Sequence, residues 1–184
     1  MALANKLAVV TGANCGIGKV IATELARHQA HVVMACRSQA RSEPICEEIR
    51  ASTGNCDVEF RELDLTSLNS IKNFANGLQG RSVHLLINNA GVMAGQREMT
   101  ADGLETSWQV NAVGPTLLSR LLLSNLFKAS QELEGPSGAS RIVYVGSMLD
   151  KKGNLEDLKA VQDPLKRFAS DTEFSAFGSY GTSK

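Results

Sequence analysis

The run Thr11-Gly12-Ala13-Asn14-Cys15-Gly16-Ile17-Gly18 constrains the fold more than any other stretch of the chain. It separates the β-branched segment Lys6–Thr11 from a helical pattern that places Ile17, Val20, Ile21 and Leu25 on one face. A strand that turns this tightly into an amphipathic helix reads as the opening of a βαβ unit. Glycines in such a turn let the backbone approach a ligand closely, and the N–H groups at the helix start bind anionic oxygen. The spacing is G-x3-G-x-G, and a Gly-rich turn can also be purely structural. In this strand-to-helix context it points to a nucleotide pyrophosphate, with Gly12, Asn14, Cys15, Gly16, Ile17 and Gly18 as candidate contacts.

The rest of the chain repeats the alternation. Further strands are expected over His31–Cys36, about 58–65, Val83–Asn88 and Arg141–Ser147. Between them lie helical patterns with Ile45 and Ile49, with Leu68, Ile71, Phe74 and Leu78, and a long one over about 104–128. This is the pattern of an α/β fold, a Rossmann-type doubly wound parallel sheet of strand order 3-2-1-4-5. A length of 184 residues falls within the roughly 100–200 residues usual for one domain, so 1–184 is read as one. The segment 148–178 carries only scattered apolar positions and reads as a solvated excursion, either functional or a plain surface insertion.

Composition excludes several classes. Hydrophobic residues make up 43% of the chain, enough for a substantial core and too many for disorder. Nineteen basic and nineteen acidic residues cancel, leaving no basic face for nucleic acid or an anionic membrane. Cys15, Cys36, Cys46 and Cys56 form no CxxC pair and no metal-type cluster, which suggests reduced thiols and no metal. No secretory leader and no run of ~18 apolar residues is evident, so a cytoplasmic location is expected, an organelle remaining open.

Cofactor specificity in such folds is read at the end of the second strand. A carboxylate there would favour an unphosphorylated ribose, but the chain has Cys36-Arg37-Ser38. Arg37 can clamp a 2′-phosphate, so NADP(H) is expected over NAD(H), against the plainer reading of a surface arginine. Asp64, followed by Leu65, is placed to meet an adenine amino group or to cap the next helix. Asn88-Asn89-Ala90-Gly91 ends the fourth strand with small residues suited to lie against a flat ring, or to form a turn. At the far end stands Tyr180-Gly-Thr-Ser-Lys184. On a helix these two residues share a face, and a nearby ammonium favours the phenolate of a tyrosine that would otherwise titrate near 10.

Thr11–Gly18, Asn88–Gly91, Asn111, Ser147 and Tyr180…Lys184 together resemble the short-chain dehydrogenase/reductases, in order and strand context. Met34-Ala-Cys-Arg37, Leu63-Asp-Leu-Thr66 and Asn154-Leu-Glu-Asp-Leu158 are similar to the retinol dehydrogenase branch and to protochlorophyllide reductases. The resemblance implies that Tyr180 exchanges a proton with the substrate oxygen and that Ser147 hydrogen-bonds that oxygen. Lys184 would hold the nicotinamide ribose and tune Tyr180, and the Asn111 backbone carbonyl would hold a relay water. Asn89, Ala90 and Gly91 join the cofactor contacts. Pro115 lies four residues after Asn111 and has no N–H to give the Asn111 carbonyl, either freeing it for water or merely kinking the helix.

The implied substrate is a small hydrophobic carbonyl or alcohol, such as a retinoid, steroid or lipid aldehyde. Reduction of a ring double bond in the protochlorophyllide manner is a subsidiary expectation. Family members continue past the position of Lys184, so the chain is expected to be a fragment, with the sheet incomplete at its C-terminal edge. On that view the last helix is about one turn long and does not fix Tyr180 or Lys184. The strand carrying Ile142, Val143 and Val145 is left as an open edge, which would permit a homodimer. A different class, a non-catalytic nucleotide-binding or interaction module, stands beside the enzyme.

Overall fold

The computed structural model describes residues 3–132, 139–149 and 175–184. They form β1 (Leu7–Thr11), α1 (Gly16–Arg27), β2 (His31–Cys36), α2 (Gln39–Thr53), β3 (Val58–Glu62), α3 (Leu68–Asn76) and β4 (Leu85–Asn88). After these come α4 (Thr106–Trp108), a π-helical turn (Gln109–Val113), α5 (Gly114–Leu121), α6 (Leu123–Gln131), β5 (Arg141–Tyr144) and α7 (Ala176–Ser183). All strand pairs are parallel, in the order β3-β2-β1-β4-β5. The strands leave β1 in opposite directions, toward β2 and toward β4, so right-handed crossovers place helices on both faces of the sheet. The strands occur where the β-branched runs predict them, though β3, β4 and β5 are shorter than read.

The described chain divides into two compact units. The first draws on the described residues of Met1–Asp64, Asn69–Ala90 and Leu118–Val145, and the second on those of Leu65–Leu68, Gly91–Leu117 and Gly146–Lys184.

In the first unit every residue of β1 is buried, as a central strand covered on both faces requires. Val10, Val32, Met34 and Cys36 join Ala22, Ala26, Cys46 and Ile49 in a core beneath α1 and α2. Of the predicted stripe of α1, Ile21 and Leu25 are half-buried and pack against this core, and Ile17 and Val20 do not. Gly18, Ala22 and Ala26 face inward, whereas Ile17 and Val20 are 65% and 61% exposed. Both stripes satisfy helical spacing, and the small one lets the helix axis lie closer to the sheet. β5 forms the edge of the described sheet with all four residues exposed, including Ile142 and Val143, but Val145, also expected on the open edge, is half-buried and packs against the core.

His84 and His31 have partners that sequence spacing did not show. The ring Nδ1 of His84 accepts the Leu7 N–H at 3.1 Å, while its main-chain N–H donates to the Leu7 carbonyl. His31 Nε2 lies 2.9 Å from Glu59 Oε1. Burial, helped by the Lys6 ammonium, pushes the His84 pKa below its ordinary 6.5. A histidine whose pKa is depressed by folding carries no penalty above the unfolded value. The penalty grows as pH falls through 6.5 toward the folded value, then levels off. The thermal midpoint should therefore drop on acidification from about pH 7 to about pH 5, and by less in His84→Gln. An identical drop in that variant, followed by calorimetry, would remove His84 from the account.

The second unit contains α4, the π-turn and α7, with no extended sheet among its described residues. The single helix expected over 104–128 is instead interrupted. The Gly114 N–H bonds the Gln109 carbonyl, five residues back, just ahead of Pro115. Pro115 has no N–H for the Asn111 carbonyl, so the ladder loses that rung, and the wider turn forms beside the gap. Most of the excursion read over 148–178 lies outside the described residues, as do Asn154–Leu158. Its last positions do not form a loop, because Ala176–Gly178 are already in α7.

Candidate functional site

The first unit carries the Gly-rich turn. Gly12 and Gly16 have φ of 64° and 54°, the left-handed region where a Cβ is strained. A Cβ on Gly18 would lie 2.3 Å from the Gly12 carbonyl oxygen and 2.4 Å from Asn89 Nδ2. Gly18 is therefore a packing glycine that lets α1 begin against the turn. Gly16 differs, since a Cβ there would meet nothing within 4 Å. The turn is exposed at Cys15, Gly16 and Ile17, with Asn14 half-buried. Cys15 precedes α1 in an extended conformation and its side chain caps no N–H, and no acidic residue occupies the first turn. The positive end of the α1 dipole therefore carries no capping side chain, with open space at Gly16, a cradle whose geometry fits a pyrophosphate.

Thr11 ties this turn to the end of β4. Its Oγ1 accepts the N–H groups of Asn89 and Ala90, each at 3.0 Å, and donates to the Ile87 carbonyl. The Asn89 amide donates to the carbonyls of Thr11 and Gly12 at 2.9 and 3.3 Å. Asn89 thus braces the turn with its amide, a structural duty the sequence did not reveal. Ala90 packs against Gly12, whose Cβ would lie 3.0 Å from the Ala90 Cα.

Arg37 is exposed just beyond β2, and among the described residues it forms no ion pair. Asp64 is half-buried, and its N–H donates to Ser70 Oγ at 3.0 Å. It does not occupy the N-cap position of α3, which begins four residues later at Leu68. In the second unit the Leu68 N–H donates to Asp102 Oδ2 at 2.8 Å, so a distant carboxylate serves that helix start. Leu65 is buried. The thiol of Cys36 is pushed up in pKa by burial, and all four cysteines are free.

The second unit carries Gly91, Asn111, Ser147, Tyr180 and Lys184. Helix α7 spans eight residues and starts four before Tyr180, so the one-turn helix expected from the sequence is corrected. Ser175 caps it, its Oγ accepting the Gly178 N–H. Two buried serines anchor it. Ser179 Oγ donates to Glu105 Oε2 at 2.9 Å, and Ser183 Oγ accepts from Asn111 Nδ2 at 2.9 Å. These tertiary bonds supply what a short Gly-containing helix lacks on its own.

Lys184 follows the last residue of α7, and its N–H bonds the Tyr180 carbonyl at 3.1 Å. The pair therefore stands one turn apart. A Cβ on Gly91 would lie 2.6 Å from Lys184 Nζ and 3.4 Å from Asn111 Oδ1. The lysine head thus rests where any larger residue at 91 would be, and burial holds its pKa below the ordinary lysine range. Asn111 uses its side chain as well as its place before Pro115. Oδ1 accepts the Val92 N–H and Nδ2 donates to the Val92 carbonyl, both at 2.8 Å. Ser147 is half-buried, with its Oγ accepting the Leu149 N–H at 3.2 Å. Trp108 is half-buried, and its N–H donates to Glu105.

Glu105, Ser175, Ser179 and Ser183 escaped the sequence reading. Ser175-Ala-Phe-Gly178 carries a capping signal that would have placed the start of α7 earlier. Among the described residues no group of three His, Cys, Asp or Glu could hold a metal, and no helix is long and apolar enough to cross a membrane.

A parallel sheet of order 3-2-1-4-5, a glycine cradle at its topological switch point and a Tyr-x3-Lys helix define the class of nucleotide-dependent oxidoreductases with a Rossmann fold. Residues 6–156 match the family model described as short chain dehydrogenase, and the chain belongs to that family. It is 44% identical over 155 residues to retinol dehydrogenase 11 of Homo sapiens, covering 83% of this chain and 46% of that protein. The chain thus spans about half the length of such relatives. Among solved structures, an uncharacterized protein from Mycobacterium Paratuberculosis is similar at TM-score 0.75 and 36% identity, covering 98% of this chain and 58% of that one. A metagenomic short-chain oxidoreductase in complex with NADP is similar at TM-score 0.64 and 30% identity, covering 82% and 66% respectively.

Proposed function

We propose that this chain is the nucleotide-binding and catalytic part of an NADP(H)-dependent oxidoreductase acting on the carbonyl or alcohol group of a hydrophobic substrate. The observation that carries this reading is the open space over Gly16 at the uncapped start of α1. Gly12, Asn14, Cys15, Gly16, Ile17 and Gly18 would surround the pyrophosphate, with Arg37 on the 2′-phosphate and Asp64 and Leu65 beside the adenine. Asn89, Ala90 and Gly91 would flank the nicotinamide end. When bound, NADP(H) supplies or accepts the hydride.

The residues of the second unit would manage the proton. Tyr180 gives its hydroxyl proton to the substrate oxygen in reduction and takes it back in oxidation. The Ser147 hydroxyl donates to the same oxygen and stabilises the charge that develops on it. Lys184, one turn along the helix from Tyr180, would hold the nicotinamide ribose. The Asn111 carbonyl, deprived of a donor by Pro115, would hold the water that returns a proton to Lys184. The substrate would be an apolar carbonyl or alcohol such as a retinoid, steroid or lipid aldehyde. The name of the retinol dehydrogenase relative agrees with that class.

The test is a fluorescence titration with NADPH and NADH, followed by NADPH oxidation with a panel of lipophilic aldehydes. NADPH should bind more tightly than NADH. Arg37→Ala should weaken NADPH about tenfold or more and leave NADH unchanged, as expected for a lost charge-assisted phosphate contact. Equal loss for both nucleotides would remove Arg37 from the 2′-phosphate. Binding without turnover would leave a nucleotide-binding module, and no binding at all would end both readings.

A further inference from the structure

Glu105 is 2% exposed and stands immediately before α4. Its Oε1 accepts the Ser107 N–H at 2.9 Å, and its Oε2 accepts the Trp108 N–H at 2.8 Å and the Ser179 hydroxyl at 2.9 Å. Among the described residues no cation pairs with it. A buried carboxylate without a counter-ion is costly unless hydrogen bonds replace its hydration, and three donors do so here.

Two of these bonds form an ordinary helix cap. The third is not needed for the cap, and it joins α4 to the residue just before Tyr180. Ser179 is 3% exposed, so its hydroxyl has been buried together with its acceptor. One turn further on, Ser183 is held by Asn111, which follows α4 in the π-turn. The Ser179–Ser183 stripe is therefore anchored at both positions. The Tyr180–Lys184 stripe lies about 100° round the same helix, so anchoring the first sets the direction of the second.

We propose that Glu105 is a positioning residue for the Tyr180–Lys184 pair, fixing the rotation of α7 through the Ser179 hydroxyl. The kinetic consequence rests on the oxidoreductase reading above. Ser179→Ala removes the link and leaves the α4 cap in place. It should lower kcat about tenfold while keeping KM for NADPH within about twofold, because only the reacting geometry is disturbed.

The decisive measurement is a double-mutant cycle on kcat with Ser179→Ala, Glu105→Gln and the double variant, paired with amide exchange. If the two residues act through one bond, the double variant is no slower than Glu105→Gln alone. Independent, additive losses would overturn the proposal. Amide exchange over Ser179–Lys184 should quicken about tenfold in Ser179→Ala while β1 and α1 remain protected. Unchanged exchange overturns the clamp whether or not the chain turns over. Absence of NADPH binding and turnover in the unsubstituted chain would sink the oxidoreductase reading instead, with exchange still deciding the clamp.

Discussion

Gly18→Ala is expected to lower NADPH affinity at least about a hundredfold, and to destabilise the first unit by ~1–3 kcal/mol. The added methyl would lie 2.3 Å from the Gly12 carbonyl oxygen and 2.4 Å from Asn89 Nδ2. Neither neighbour can yield cheaply. The first is backbone within the cradle, held at a left-handed glycine, and the second is tied to the Thr11 carbonyl at 2.9 Å. Relief therefore requires the turn to open, which moves the N–H groups proposed to meet the pyrophosphate. Fluorescence titration and thermal unfolding measure the two effects together. Retention of affinity within about twofold would mean that the turn does not hold the nucleotide.

The second large effect should fall on turnover and spare the fold. Gly91→Ala places a methyl 2.6 Å from Lys184 Nζ and 2.8 Å from Cε. Both atoms belong to the flexible end of a side chain, so the lysine moves aside at little cost in stability. The thermal midpoint should change by no more than about 2–4 °C, the equivalent of a fraction of a kcal/mol to 1 kcal/mol in a chain of this size. The rate should fall on the order of a hundredfold, because an ammonium displaced by an ångström no longer supports Tyr180. Single-turnover oxidation of bound NADPH separates this from any change in affinity. An unaltered single-turnover rate would show that the position of Lys184 against Gly91 does not matter to the chemistry.

The elements of the first unit were legible because their signals are local. β-branched runs between turn residues gave the strands, and the direction reversal about β1 came from the likeness of the glycine turn to Rossmann-type folds, since right-handed crossovers alone fit other strand orders. The inner face of α1 was legible only in part. Ile21 and Leu25 pack against the core at its margin, but Ile17 and Val20 satisfy the same spacing and stay exposed, while Gly18, Ala22 and Ala26 are the fully buried positions. Hydrophobicity ranks side chains by size, whereas close approach of a helix to a sheet selects small ones.

Tyr180 and Lys184 stood out by their spacing, but what holds them did not. Ala176-Phe-Gly-Ser179 has modest helix propensity, and its order comes from Glu105 and Asn111, some 70 residues away in sequence. A glutamate ahead of Thr-Ser-Trp reads as a solvated cap unless its hidden partner is known. Asn111 was marked for its carbonyl, while its amide turns out to bind both Val92 and Ser183. Such side-chain bonds between distant segments leave no periodic trace in the sequence.

The Thr11 hydroxyl has a consequence for the order of events during synthesis. It accepts N–H groups from Asn89 and Ala90, 78 and 79 residues downstream. The glycine turn can be translated and its helix can form early, yet the brace that shapes it arrives only when β4 docks beside β1. A nascent chain paused before residue 89 would thus own every glycine of the cradle and lack the cradle itself. Contacts of such long sequence separation are slow to close, so acquisition of nucleotide affinity would report completion of the sheet's central pairing, not formation of the first βα element.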